Sequence, residues 1–124
     1  MGFVLDDRIF DSELKLMELI WEQEGTNVTA KELSRQAEES IGWNKNTTYT
    51  ILKKLVEKGY VERQEPGFIC QALISRETVQ QRETKGLLNR IFGGSRKALF
   101  SALLEDETLS EGELKALREM IDNR

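Results

Sequence analysis

Apolar residues recur along this chain at two different spacings. Leu14, Met17, Ile20 and Trp21 fall at i, i+3, i+6 and i+7, the single stripe of an amphipathic helix. Asp11-Ser12 stands before that stripe as N-cap material, and Gly25 closes it. Val28 is β-branched and predicts a very short strand. Thr29-Ala30-Lys31-Glu32 has the form of a capping box, in which hydroxyl and carboxylate satisfy each other's backbone N–H groups. A second helix then runs through Leu33, Ala37 and Ile41 until Gly42 breaks it. Asn44 caps a third, whose apolar face is Ile51, Leu52, Leu55 and Val56, with Gly59 just past its end.

At Tyr60 the period shifts from about 3.6 to about 2. Tyr60-Val61-Glu62-Arg63-Gln64 and Phe68-Ile69-Cys70-Gln71-Ala72-Leu73-Ile74 predict two strands around the turn Glu65-Pro66-Gly67. Pro suits position i+1 of such a turn and Gly the position of positive φ. From Ser75 the helical period returns. Ser75 caps a helix reaching Phe92, Gly93-Gly94 interrupts it, and Ser95 opens another. Ser110-Glu111-Gly112-Glu113 is a second capping box before Leu114, Leu117, Met120 and Ile121. The acids of the segment Asp106–Glu113 suit a loop and a helix N-terminus. The chain divides near Ile74, into 1–74 and 75–124.

Composition narrows the function. A length of 124 residues fits one domain, or a small domain with an appendage. With 39% hydrophobic and 32% charged residues it is too apolar for an acidic disordered chain and too charged for a membrane protein. Histidine is absent, which removes the commonest general base and many metal sites. Cys70 is the single cysteine, so no disulfide forms within the chain and no CxxC pair exists. Within a strand it is expected to be a buried small hydrophobe. Trp21 and Trp43 are expected in the core. Neither a phosphate loop nor a paired carboxylate site stands out, so no enzyme, cofactor or metal site is expected. No apolar run nears the roughly 20 residues that span a bilayer, and the start, Met1 to Asp7, lacks a basic signal region. A cytoplasmic location is expected.

Helix, short strand, helix, helix and hairpin follow one another in the order of a winged helix-turn-helix. In that architecture the third helix enters the DNA major groove and the hairpin lies along the backbone. Lys45, Asn46, Thr47, Tyr49, Thr50, Lys53 and Lys54 lie off the apolar face of the third helix, and Arg63 lies in the wing. Asn and Thr read base edges or hold phosphates, lysines neutralise phosphates, and a Tyr ring meets a thymine methyl. The formal net charge of −4, taken as a whole, opposes this. It averages unlike parts, however. Between Trp43 and Arg63, five basic residues (Lys45, Lys53, Lys54, Lys58, Arg63) meet two acids (Glu57, Glu62), a local +3, whereas the residues before Trp43 sum to −6. Those acidic first helices leave a second reading open, a winged-helix module that docks proteins and does not bind DNA specifically.

The helices after the hairpin are strongly amphipathic and offer little core of their own. Leu87, Leu88, Ile91, Phe92, Leu99, Phe100, Leu103, Leu104, Leu114, Leu117 and Ile121 are the candidates for pairing with a second copy. A two-fold dimer sets two recognition helices on a palindromic site. The expected architecture is therefore mainly α, a winged helix-turn-helix domain followed by a helical dimerisation domain.

Several ordered segments resemble the BlaI/MecI/CopY family of bacterial repressors. They are Ile9-Phe10-Asp11-Ser12-Glu13-Leu14, Ile20-Trp21, Val28-Thr29-Ala30-Lys31-Glu32-Leu33, the run Trp43 to Gly59, and Leu87-Leu88-Asn89-Arg90-Ile91-Phe92-Gly93-Gly94-Ser95, with Leu109-Ser110 and Glu113-Leu114 behind. The resemblance implies a homodimeric repressor on an inverted-repeat, double-stranded operator, controlling β-lactam resistance or a related stress or metal response. It also implies a sensor-linked protease as a further partner. The chain departs from the family at three places. Ala102-Leu103 stands where the β-lactam branch has its cleaved Asn-Phe. The cysteine cluster of the copper branch is absent from Ile121-Asp122-Asn123-Arg124. Gly67 is followed by Phe68 at the wing tip, where Gly-Arg is common.

Overall fold

The computed structural model describes residues 8–23, 27–105 and 108–124. Its elements are α1 (Asp11–Trp21), β1 (Val28–Thr29), α2 (Ala30–Ser40), α3 (Lys45–Glu57), β2 (Val61–Gln64), β3 (Ile69–Ala72), α4 (Arg76–Phe92), α5 (Arg96–Leu104) and α6 (Glu111–Asp122). This is the helix–strand–helix–helix–hairpin order of a winged helix, followed by three helices. The expected stop at Gly25, the segment Met1 to Asp7 and part of the acidic loop before Ser110 lie outside the described residues.

Local capping chemistry sets most helix starts. Side-chain oxygens of Thr29, Asn44, Ser75, Ser95 and Ser110 accept from the backbone N–H three residues on, at 2.8–3.1 Å. Ser110 completes its box, because Glu113 accepts from the Ser110 N–H at 3.2 Å. At Thr29 only one half of the expected box forms. The Glu32 carboxylate is engaged by Arg35 at 2.8 Å and by Gln36 at 3.0 Å.

The start of α1 differs from expectation. Phe10, in extended conformation, is its N-cap, and Asp11 and Ser12 already belong to the first turn. Phe10 has no side-chain acceptor. Glu13 instead reaches back and accepts from the Phe10 N–H at 2.9 Å. Glu13 is 1% exposed, and its carboxylate is held by Lys58 from beyond the end of α3. A tertiary partner therefore decides where this helix begins.

The strands form one antiparallel sheet in the order β1-β3-β2. Cys70 lies opposite Val28 on one side and Arg63 on the other. The wing turn departs from the proline geometry expected of it. The Glu65–Pro66 bond is cis, whereas Pro at i+1 of a type I or II turn is trans. Gly67 has φ +92°, as anticipated, but Phe68 also has positive φ, +51°. Phe68 thereby leaves the pleat, and the return strand starts at Ile69.

Leu16, Met17, Leu33, Leu52, Leu55, Val61 and Cys70 are essentially inaccessible and join helices and sheet in one core. Trp21 and Trp43 pack against it half-buried, and the Trp21 indole N–H donates to the Ile74 carbonyl at 2.9 Å. Val79 is buried in the same core, so the first two turns of α4 belong with the winged helix. Two compact units accordingly divide between Glu83 and Thr84, within α4. The second unit holds the rest of α4 with α5 and α6. No helix of the described residues is long and apolar enough to cross a membrane.

Candidate nucleic-acid interface

The geometry of α3 is fixed at both ends. Asn44 Oδ1 accepts from the Thr47 N–H at 2.8 Å. At the other end the Gly59 N–H bonds the Val56 carbonyl and the Tyr60 N–H the Leu55 carbonyl, both at 3.0 Å. This is a Schellman closure, which requires the positive φ (+79°) that Gly59 supplies. Ile51, Leu52 and Leu55 bury one face. Thr48 lies on that face too, fully buried, a polar residue that the apolar pattern does not reveal.

At roughly 100° per residue, the opposite face centres on Asn46, Thr50, Lys53 and Glu57, with Lys54 beside them. Lys45, Asn46, Thr50, Lys53 and Lys54 are all exposed, while Thr47 and Tyr49 are half-buried. Lys53 and Lys54 make no ion pair among the described residues.

The wing tip reaches this helix through an edge-to-face pair of rings. The Phe68 ring meets Tyr49 edge-on, centroids 6.0 Å apart. Lys45 Nζ lies 5.8 Å from the Tyr49 centroid on one side of this ring pair. On the other, the Arg63 guanidinium covers Phe68 at 3.7 Å. Arg63 is also paired with Glu65 through a short Nε–Oε2 bond. Arg63 beside it holds the Glu65 carboxyl below the usual carboxylate range, helped by the backbone N–H of Phe68.

Lys58 points inward. Its ammonium donates to Glu13 Oε1 at 2.8 Å and to the Arg8 carbonyl at 2.9 Å, and sits 4.5 Å from the Phe10 centroid. The local +3 read from the sequence is therefore not all presented to solvent. Two of its five cations, Lys58 and Arg63, are engaged by carboxylates, leaving Lys45, Lys53 and Lys54 on the face of α3. Neither engagement has a local sequence signature except the i,i+2 spacing of Arg63 and Glu65. Cys70 is 1% exposed, and burial pushes its thiol up to about 11.

In the second unit the candidate pairing residues divide by exposure. Leu87, Ile91, Phe100, Leu103, Leu104 and Ile121 are exposed, at 38–61%. Phe92, Leu99, Leu114 and Leu117 are half-buried. Leu88, 7% exposed, is already covered within the chain and is not open to a partner. Met120, outside the candidate set, is the most exposed large apolar residue there at 67%.

A capped third helix with a polar and cationic outer face, braced by a hairpin wing, is the architecture of a winged helix-turn-helix DNA-binding protein. The chain belongs to the penicillinase repressor family, whose model matches residues 9–123. It is similar to the methicillin resistance regulatory protein MecI of Staphylococcus aureus strain N315, 23% identical over 118 residues and covering 94% of each chain. It is also similar to the penicillinase repressor of Bacillus licheniformis, 28% identical over 119 residues, 93% of this chain and 90% of the relative. The penicillinase repressor of Staphylococcus aureus is 23% identical over 114 residues, 90% of this chain and 89% of the relative.

Proposed function

We propose that this protein is a homodimeric repressor that holds an inverted-repeat operator through two copies of α3. Thr47 and Thr50 read base edges or fix phosphates, Lys53 and Lys54 neutralise backbone charge, and Asn46 and Tyr49 complete the groove face. Lys45 and the wing flank the helix along the backbone. The observation that carries this reading is the exposed Asn46–Thr50–Lys53–Lys54 face, held rigid by an Asn44 cap and a Gly59 closure. The exposed apolar residues of α4, α5 and α6 supply a surface for the second copy. The regulated genes serve β-lactam resistance or a related stress or metal response, the first in line with the names borne by the relatives; a sensor-linked protease would need a bond other than the family's Asn-Phe, since Ala102-Leu103 stands there.

Fluorescence anisotropy with duplexes from the protein's own promoter region tests the reading. Saturable binding to one palindromic duplex, at two protomers per site, is expected, with a weaker response to scrambled DNA. A folded dimer that binds no duplex at low salt overturns it in favour of a protein-docking module.

A further inference from the structure

Arg63 is the wing's exposed guanidinium, and a wing guanidinium is the natural partner of a backbone phosphate. Here it already has an anion. Glu65, two residues on, takes the Arg63 Nε through Oε2, while its other oxygen accepts from the Phe68 N–H at 3.3 Å. The Arg63 plane rests on the Phe68 ring at 3.7 Å, and the same ring leans edge-on against Tyr49 of α3. Both charged side chains remain about half exposed, at 51% and 56%. The pair is thus held in place but open to competition. Exposed ion pairs of this kind are weak, and a phosphate that releases counterions on binding competes with them effectively.

We propose that Glu65 is an internal stand-in for a DNA phosphate, which docks Arg63 on Phe68 and makes the wing's grip on the backbone a competition between carboxylate and phosphate. This inference rests on the DNA-binding reading of α3 and adds to it a residue that sets affinity without touching DNA. Its consequence is a deliberately weak wing. Arg63 contributes a phosphate contact only to the extent that it leaves Glu65. Sequence-independent binding is therefore restrained, and the groove-facing residues of α3 carry a larger share of recognition.

A double-mutant cycle on the full chain separates this from simple charge repulsion. Operator and scrambled duplexes are titrated against the wild-type protein, Glu65→Gln, Arg63→Ala and the double variant, over a salt series. Removing the stand-in releases Arg63, so Glu65→Gln steepens the log–log salt slope by about one unit. It also tightens scrambled-duplex binding several-fold. In the Arg63→Ala background the same substitution gains nothing in slope. If Glu65→Gln gives an equal gain in both backgrounds, the carboxylate merely repels DNA and the proposal is overturned. A Glu65→Gln protein with unchanged slope overturns it equally. Failure of the wild-type protein to bind any duplex removes the DNA-binding reading itself, a different outcome from binding with a flat cycle. Both positions are exposed, and circular dichroism checks that all four proteins keep the same fold.

Discussion

Lys58 donates to Glu13 at 2.8 Å and so ties the C-cap of α3 to the first turn of α1. The carboxylate is 1% exposed and the lysine side chain 18%. Glu13 serves three ends at once: it caps the Phe10 N–H, sets where α1 begins and anchors the end of the helix proposed to read DNA. Removing one partner of a buried pair strands the other charge, which is far costlier than losing an exposed pair. Glu13→Gln is expected to lower the unfolding free energy by roughly 3 kcal/mol, the low end for a broken buried pair, because Lys58 retains the Arg8 carbonyl. Urea denaturation measures it. Adding Lys58→Met should recover part of that loss, and strict additivity of the two single changes would contradict the coupling.

Thr48 presents the reverse case. Its hydroxyl is buried against the core face of α3 and has no hydrogen-bond partner among the described residues. A buried hydroxyl without a partner costs stability, and a methyl of the same shape does not. Thr48→Val should raise the unfolding free energy by about 1 kcal/mol and leave DNA affinity unchanged. A loss of stability would mean that the hydroxyl is satisfied in solution.

How much of this was legible in the sequence depends on the range of the interaction. Caps at Thr29, Asn44, Ser75, Ser95 and Ser110 are local, and their residue types announce them. The apolar stripes located the core of α1, α2 and α3 for the same reason. Glu13 and Lys58 are 45 residues apart, so neither the altered start of α1 nor the inward turn of Lys58 has a sequence pattern to announce it. The wing tip was misread through its backbone. A positive φ at Phe68 takes that residue out of the strand, which starts at Ile69, and the Phe68 ring lies against Tyr49 and Arg63. Charge counting located the cationic segment but overstated what it presents, since the partners of Lys58 and Arg63 emerge only in three dimensions.

Lys53 and Lys54 are exposed on α3 and unpaired with any acid among the described residues. On the proposed role, Lys54→Ala weakens binding to all duplexes alike and lowers the salt slope by about one unit. Thr50→Ala behaves differently: it reduces discrimination between operator and scrambled DNA and leaves the slope alone. Titrations at several salt concentrations distinguish the two. A Lys54→Ala protein with wild-type slope removes that lysine from the interface.

Cys70 reports on the integrity of the sheet. Burial raises its thiol to about 11, against an ordinary value of 9.0. At pH 8 the native thiol should react with a disulfide reagent only through unfolding, while urea exposes it at once. The folded state holds the proton more tightly, so this stabilising contribution is complete below about pH 9 and is lost as pH rises towards about 11. Rapid stoichiometric labelling of the native protein at pH 8 would refute the burial.

The proposed pairing of two copies rests on side chains exposed within one chain. On α5, Phe100, Leu103 and Leu104 are 44%, 50% and 54% exposed. Three neighbouring large apolar residues on a nine-residue helix are costly to leave in water, at about 25 cal/mol for each Å² of apolar surface. A second copy is the proposed occupant, because it also gives the two-fold symmetry that the proposed palindromic operator demands. Leu103→Arg places a charge in the centre of that face. The wild-type protein should sediment as a dimer at micromolar concentration, and the variant as a folded monomer. Operator affinity should then fall far more than affinity for a single half-site, because linking two sites multiplies their effect without new contacts. Leu88→Ala, by contrast, removes a side chain already covered within the chain and should lower stability before it affects assembly. A Leu103→Arg protein that remains dimeric would move the interface off α5, and a monomeric wild type would remove it altogether.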